Sequence, residues 1–386
     1  MKSIPYARQD ISQADIDAVV SILRSDWLTQ GPTIDRFEQA VASHVGAKHA
    51  VATSNATTAL HLACLALNVG PGDTLWTSPN TFVASANCAL YCGAKVDFVD
   101  IDPKTYNLSA DRLEEKLNAA ARTGSLPKVI VAVHFAGQPC DMAAIGALAK
   151  KYAVAVIEDA AHAIGAADGN DKVGSCHHSD ITIFSFHPVK ILTTGEGGML
   201  LTNNADLDAR VRLLRSHGIT RDADRMEGIA DGPWYYQQIE LGFNYRITDM
   251  QAALGLSQLS RLEQFLGRRR DIAAGYGRLL ADVSVILPWQ RPGAESAWHL
   301  YVVRVQGDGS KGRRAVFEAL QAAGIRVNVH YVPVHLQPYY RRMGFSAGDF
   351  PEAERYYEEA ISLPMFYGLS DIDQRYIVEQ LERILS

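Results

Sequence analysis

The 386 residues are 47% hydrophobic and 21% charged, enough apolar material for one large core and a smaller second one. A net charge of −6 leaves no electrostatic footprint for nucleic acid or an anionic membrane surface, and the short basic clusters at 268–270, 313–314 and 341–342 read as solvated faces. Residues 1–10 lack the apolar run of a signal peptide, so a cytoplasmic location is expected.

The uncharged stretch 74–94 is interrupted by Ser78, Pro79, Asn80, Thr81, Ser85 and Asn87, which makes it a buried helix rather than a membrane span. Five cysteines with no repeated CxxC read as reduced core thiols. Cys88 and Cys92 lie one helical turn apart, but no histidine stands at a matching spacing, so no metal site is expected.

Apolar residues recur at helical spacing over 10–23 and 33–45, predicting two helices around Trp27-Leu28-Thr29-Gln30-Gly31-Pro32. Residues 49–53 predict a short strand that runs straight into a capped helix over 54–67. Such a junction suits a phosphate: the amides of Ala56 and Thr57 and the hydroxyls of Thr57 and Thr58 stand at the positive end of the helix dipole. Taken alone, the segment reads better as an ordinary helix cap. A strand ending at 77 leads through a turn carrying Phe82 into an uncharged helix that runs to 90. Strands over 95–100, 128–133 and 153–162 alternate with helices over 109–121 and 141–152, a βαβα pattern of buried strands. Asp159 and His162 fall at the carboxyl end of the last strand, where ligands gather in open α/β sheets. An aspartate buried there needs a cation or several donors.

Residues 181–202 read as two apolar strands joined by a loop that carries Lys190 beside Gly195, Gly197 and Gly198. Glycine removes the Cβ that would block a close approach, and Pro188 restricts the loop. A helix over 206–217, a loop over 226–234 and a helix capped by Thr248 that runs on toward 270 come next. A strand over 298–305, a helix over 313–322, a strand over 326–331 and a closing helix over 371–385 predict a smaller α+β unit. The expected division is a large domain over 1–255 and a small one over 256–386.

A lysine in a glycine-lined loop, an aspartate ending a buried strand, a phosphate-ready helix start and an aromatic on a neighbouring turn are the four parts that pyridoxal 5′-phosphate (PLP) needs. The lysine makes the Schiff base, and the aspartate keeps the pyridine nitrogen protonated so that the ring becomes an electron sink. A dinucleotide-binding reading fails, because Gly195-Glu196-Gly197-Gly198 lacks GxGxxG spacing and precedes a strand.

With these motifs, together with Gly242-Phe243-Asn244-Tyr245-Arg246 and the run from His330 to His335, the chain resembles the DegT/DnrJ/StrS family of sugar aminotransferases. The resemblance implies the aspartate-aminotransferase type fold (PLP fold type I): an α/β/α domain around a large, mixed, mostly parallel sheet, with a small α+β C-terminal domain. It implies that Lys190 anchors the cofactor and acts as the base, that Asp159 pairs with the pyridinium nitrogen, and that Phe82 stacks on the ring with His162 nearby. Ala56, Thr57 and Ser185 would hold the phosphate, joined by Asn244 and Arg246 from the second subunit of a homodimer. Tyr6, His330, Tyr331 and His335 would face the substrate.

L-Glutamate is the implied amino donor and a nucleotide-linked keto-sugar the acceptor. The Ser185-Phe186-His187-Pro188-Val189-Lys190 motif and the Ile4-Pro5-Tyr6 start look most like enzymes of the pseudaminic-acid pathway, which aminate C4 of a UDP-linked 4-keto-6-deoxy N-acetylhexosamine. Family members with histidine in place of the lysine are dehydratases. Here the lysine is present, and His187 is three positions too early to replace it. A non-catalytic binding protein of regulatory function would need a partner-binding element that the sequence does not show.

Overall fold

The apolar runs form strands where both faces can be covered. In the computed structural model, which describes residues 3–386, seven of them make one sheet: β1 (His49–Thr53), β2 (Thr74–Thr77), β3 (Lys95–Phe98), β4 (Val129–Val133), β5 (Ala155–Asp159), β6 (Ile181–Ser185) and β7 (Gly198–Thr202). Their spatial order is β1-β7-β6-β5-β4-β2-β3. Strands β2 through β6 are parallel, whereas β7 runs antiparallel to both of its neighbours, β1 and β6. The sheet is therefore mixed and mostly parallel.

Every residue of β4 and β6 is buried, because helices lie on both faces. Val129, Val131 and Val133 pack with Leu60, Leu62 and Ala86 on one side, while Ile130 and Ala132 pack with Leu113, Leu117 and Ile145 on the other. The alternation that a strand imposes on its side chains thus serves two helical layers at once.

A second core gathers Ile272, Tyr276, Val303, Val316, Leu320, Ile361, Ile377 and Leu381 around two antiparallel strands, β8 (Tyr301–Arg304) and β9 (Ala360–Leu363). The helix expected to run on toward 270 is broken. It ends at Leu259, and a new helix spans Leu262–Leu279. Leu262, Phe265 and Leu266 of that second helix pack into the large-sheet core, and its Ile272, Ala273 and Tyr276 into the second one.

The strand expected over 326–331 does not form. Its backbone is divided between two partners, Arg326 N donating to the Ile4 carbonyl and Asn328 exchanging both bonds with Ser362, so no continuous ladder develops. Strand β9 has no boundary signal in the sequence, since it follows directly on the helix Pro351–Glu359 with no turn residue between them. Among the described residues no helix is long and apolar enough to cross a membrane. No cluster of three or more His, Cys, Asp or Glu side chains could hold a metal ion among them either, and all five cysteines are free thiols.

Strand β1 is held in place by a buried carboxylate. Glu38, on the helix Pro32–Val45, accepts from the Ala52 amide at 2.8 Å, from Arg212 Nη1 at 2.8 Å and from Arg215 Nη1 at 2.7 Å. The two arginines also reach the carbonyls of Ala50 and Ala52, both at 2.8 Å. Removing the acid leaves Arg215 with no carboxylate and the Ala52 amide with no acceptor, while Arg212 keeps its ion pair with Asp208. Glu38→Ala should therefore lower unfolding stability by about 3–5 kcal/mol, read as a fall in the denaturant midpoint with little change in m.

Candidate active site

Three chain segments meet across the carboxyl edge of the sheet. In register, Thr53 at the end of β1, Gly198 at the start of β7 and Ser185 at the end of β6 lie side by side. The helix Ala56–Ala66 starts just beyond Thr53, and the loop carrying Lys190 joins Ser185 to Gly198. A Cβ built on Gly198 would lie 2.5 Å from the Asn55 carbonyl and 2.7 Å from the Ala56 amide nitrogen. Only glycine lets the strand pass this close to the helix start.

Asn55 caps that helix by accepting from Thr58 N at 2.9 Å, while Thr58 Oγ1 answers to the Asn55 amide. The capping box consumes the third helical amide and leaves those of Ala56 and Thr57 at the mouth of a cavity of about 690 Å³. Ser185 and Thr57 line the same end, and neither hydroxyl makes a hydrogen bond among the described residues. Free amides, free hydroxyls and a helix N-terminus form a cradle for a phosphate.

The Lys190 loop is pinned at its root. Phe186 N donates to the Gly197 carbonyl at 2.9 Å and receives Thr194 N and Thr193 Oγ1 on its own carbonyl. Gly195 takes φ +81° to close the turn. The Lys190 side chain lines the cavity with no hydrogen bond or ion pair among the described residues, and burial lowers its pKa to about 8, against an opposing pull from the Asp159 charge.

Across the cavity Asp159 is buried. Its Oδ2 accepts from Ser85 Oγ at 2.6 Å and its Oδ1 from Ala161 N at 3.1 Å. Ser85 is in turn bonded to Thr81 Oγ1 at 2.7 Å. These donors fix the orientation of the carboxyl group while leaving acceptor capacity toward the cavity. Beneath it, the neighbouring Glu158 points to the other face of the strand, where it meets His134 Nε2 at 2.7 Å and the hydroxyls of Ser179 and Thr182. Alternation along β5 separates a structural carboxylate from the one at the cavity.

Three buried histidines line the cavity: His162, His299 and His330. His162 Nδ1 accepts the Ala136 amide at 3.3 Å, which places its proton on Nε2, facing the Tyr331 hydroxyl at 3.3 Å. Burial holds its pKa well below the ordinary histidine value, helped by the Lys190 charge. His330 is bonded to Ser362 Oγ at 2.8 Å and to Asn328 Nδ2 at 3.4 Å, and burial brings its pKa down to about 4. Phe82, 58% exposed, presents its ring at the cavity edge 6.2 Å from Tyr331. Tyr6 lines the floor with its ring 5.8 Å from His330.

Of the residues singled out from the sequence, Ala56, Thr57, Phe82, Asp159, His162, Ser185, Lys190, Tyr6, His330 and Tyr331 all line this one cavity. His335 does not. Its Nε2 bonds Glu354 at 2.9 Å and its ring packs on Phe350, so it is a core residue behind the site. Asn244 and Arg246 also lie outside the lining. Their segment is tied to the helix start through Ser54 N and the Tyr245 carbonyl at 2.8 Å, with Asn244 exposed. Sequence reasoning missed Ser85, noted only as a polar interruption, and His299, for which no local signal exists.

The chain matches the model of the DegT/DnrJ/EryC1/StrS aminotransferase family over residues 9–382. It belongs to that family. The UDP-4-amino-4,6-dideoxy-N-acetyl-beta-L-altrosamine transaminase of Campylobacter jejuni subsp. jejuni is 37% identical over 383 residues, 99% of this chain and 97% of that protein. Among solved structures, Spr1654 from Streptococcus pneumoniae superposes with a TM-score of 0.90 in both its PMP form (32% identity, 99% of each chain) and its PLP form (30% identity, 100% of this chain and 99% of that one). Helicobacter pylori PseC, an aminotransferase involved in the biosynthesis of pseudoaminic acid, also gives 0.90 at 29% identity, covering 100% of this chain and 99% of the other.

The DegT/DnrJ/EryC1/StrS family is PLP-dependent, has fold type I and works on nucleotide-linked keto-sugars with an amino donor, and the cradle, the free lysine and the buried aspartate fit that cofactor.

Two outcomes test this geometry. In cofactor-free protein an amine-acylating reagent should modify Lys190 at a rate that rises through pH 8, where ordinary lysines are still largely protonated. Peptide mass spectrometry across pH 6 to 10 reads the midpoint. Gly198→Ala should fold yet retain cofactor at least tenfold more weakly, seen as loss of the near-visible absorbance on dilution, because the added methyl pushes β7 off the helix start.

Proposed function

We propose that the protein transfers an amino group from L-glutamate to the C4 keto group of a UDP-linked 4-keto-6-deoxy N-acetylhexosamine. The observation that carries the transamination reading is Lys190: an unpaired amine, softened by burial to about 8, in the same cavity as the buried, donor-fixed Asp159. The choice of sugar is supported by the likeness to the Campylobacter jejuni transaminase and to PseC. A C3 or C4 aminotransferase acting on another nucleotide-linked keto-sugar is the second reading, and a dehydratase of the same fold is disfavoured because the lysine is present.

When bound, PLP supplies an electrophilic carbon and an electron-withdrawing ring. The chain does the rest. Ala56, Thr57 and Ser185 would hold the phosphate with two amides and two hydroxyls. Asp159, oriented by Ser85 and the Ala161 amide, would pair with the protonated ring nitrogen, and Phe82 would cover one ring face. Lys190 Nζ has a pKa near the working pH, so it can take a proton from the donor's Cα and return it during amination of the sugar. Two half-reactions on one site give ping-pong kinetics. Tyr6, His330 and Tyr331 would contact the substrates.

The site is shared in this reading: Asn244 and Arg246, outside their own cavity, would complete the phosphate cradle of a second copy in a homodimer. The exposed Trp27, Leu28, Trp234 and Leu241 supply apolar surface that such a dimer would cover. The division into 1–255 and 256–386 is supported by the separate second core, with the Leu262–Leu279 helix as the link. A cytoplasmic location suits an enzyme acting on nucleotide-activated sugars.

Product analysis with a panel of nucleotide-linked keto-sugars, PLP and glutamate should give an amino sugar, and loss of water without amine would overturn the proposal. Lys190→Ala should lower turnover by at least a thousandfold with cofactor still bound. In mixed dimers, a subunit carrying Asn244→Ala should weaken cofactor binding in its neighbour. Weakening confined to its own site would exclude the shared arrangement.

A further inference from the structure

The three buried histidines differ in one respect. His162 and His330 have both ring nitrogens engaged. His299, 3% exposed, has neither. Among the described residues its Nδ1 is buried with no partner, whereas Nε2 makes no hydrogen bond yet is not fully buried, so that edge meets the cavity the residue lines. A buried N–H without an acceptor is rarer than a buried lone pair without a donor. The ring proton therefore belongs on Nε2, aimed into the cavity.

The surroundings hold the ring there at some cost. Trp298 adopts φ +48°, a conformation that a bulky residue keeps only when its surroundings impose it. Gly137, at φ +99°, has no Cβ where one would stand 2.9 Å from Trp298 N and 3.0 Å from His299 N. The bonds Ala297 N to the Gly137 carbonyl, 3.0 Å, and Leu300 N to the Ala136 carbonyl, 3.2 Å, stitch the segment down. The His299 ring then lies 4.3 Å from that of His162.

Behind it, Arg269 is buried with no carboxylate bonded to it among the described residues. Its Nη1 donates to the carbonyls of Trp298, His299 and Met365 at 3.0, 3.2 and 3.3 Å. Burial above all keeps the imidazole uncharged, the Lys190 and Arg269 charges adding to it, and the buried cation makes the potential at its outer edge positive.

We propose that His299 is a substrate-binding residue whose Nε2–H receives a carboxylate of the amino donor. Any amino-acid donor brings a carboxylate. Among the described residues no arginine, and no lysine besides Lys190, lines the cavity. Lys190 cannot hold the carboxylate and also serve as the base, and in the dimer reading Arg246 of a second copy is taken up by the phosphate, so an uncharged donor backed by a buried cation suits the carboxylate. The inference rests on the transamination reading, and it assigns to this chain a contact for the donor rather than for the sugar.

Glutarate, a dicarboxylate with no amino group, is the probe. Its affinity for the PLP-loaded protein is measured by calorimetry. His299→Phe should weaken glutarate about tenfold to a hundredfold, the range of one charge-assisted hydrogen bond, and His299→Gln, which keeps an N–H donor, should recover most of the loss. In stopped flow, His299→Phe should raise the glutamate concentration needed for half-maximal conversion to the PMP form by the same factor and leave the reaction of that form with the keto-sugar unchanged. Equal glutarate affinity in wild type and His299→Phe overturns the proposal, as does an equal loss in both half-reactions.

If the Phe variant does not fold, the ¹⁵N-histidine spectrum of the wild type decides: one Nε2–H resonance, assigned through His299→Gln, should move on adding glutarate, and an unmoved resonance overturns the proposal. Glutarate binding does not depend on turnover, so failure of the transamination reading shows separately, as absence of amino sugar from the wild type.

Discussion

The structure depends on one close approach. Strand β7 inserts antiparallel between β1 and β6 and brings Gly198 against the backbone of Asn55 and Ala56. Because Thr53, Gly198 and Ser185 are neighbours across the sheet, the phosphate-ready helix and both ends of the lysine loop issue from one row of residues. A side chain at 198 would separate them by the width of a methyl group, which is more than hydrogen-bond geometry tolerates. The direction of β7 is also what turns the loop back over the edge where β5 delivers Asp159.

Around that contact the chain manages charge by burial. Paired acids stabilise the frame: Glu38 with two arginines at β1, and Glu158 with His134 on the far face of β5. At the cavity the logic reverses. Among the described residues no carboxylate is bonded to half-buried Lys190 or to Arg269, buried behind His299, and Asp159 is held by neutral donors alone. Unpaired buried charge costs stability. Here it creates an amine of lowered pKa, a fixed anion for a ring nitrogen, and a positive potential behind His299.

Local signals carried the site where one segment holds both the residue and its reason. The capped helix after β1, the glycines around Lys190 and the carboxylate at the end of β5 are each readable from a dozen residues. The substrate side was harder, because His335 and His330 lie in the same run and sequence spacing does not say which of them turns inward. Packing does: Phe350 and Glu354, from an element the sequence did not announce, claim His335, whereas Ser362 of β9 orients His330. The strand expected at 326–331 failed for a related reason, its backbone partners being Ile4 and Ser362, both distant in sequence.

The sequence by itself determined the α/β class, the family and the cofactor's anchoring groups, since these follow from periodicity, caps and motifs that lie within single segments. Only the tertiary structure decided which side chains finish the site. Ser85 reaches Asp159 across 74 positions of chain. His299 is placed against His162 by a glycine, a strained tryptophan and a buried arginine from three different elements. Such contacts have no sequence period, because they are set by how helices and loops pack and not by the local repeat of the backbone.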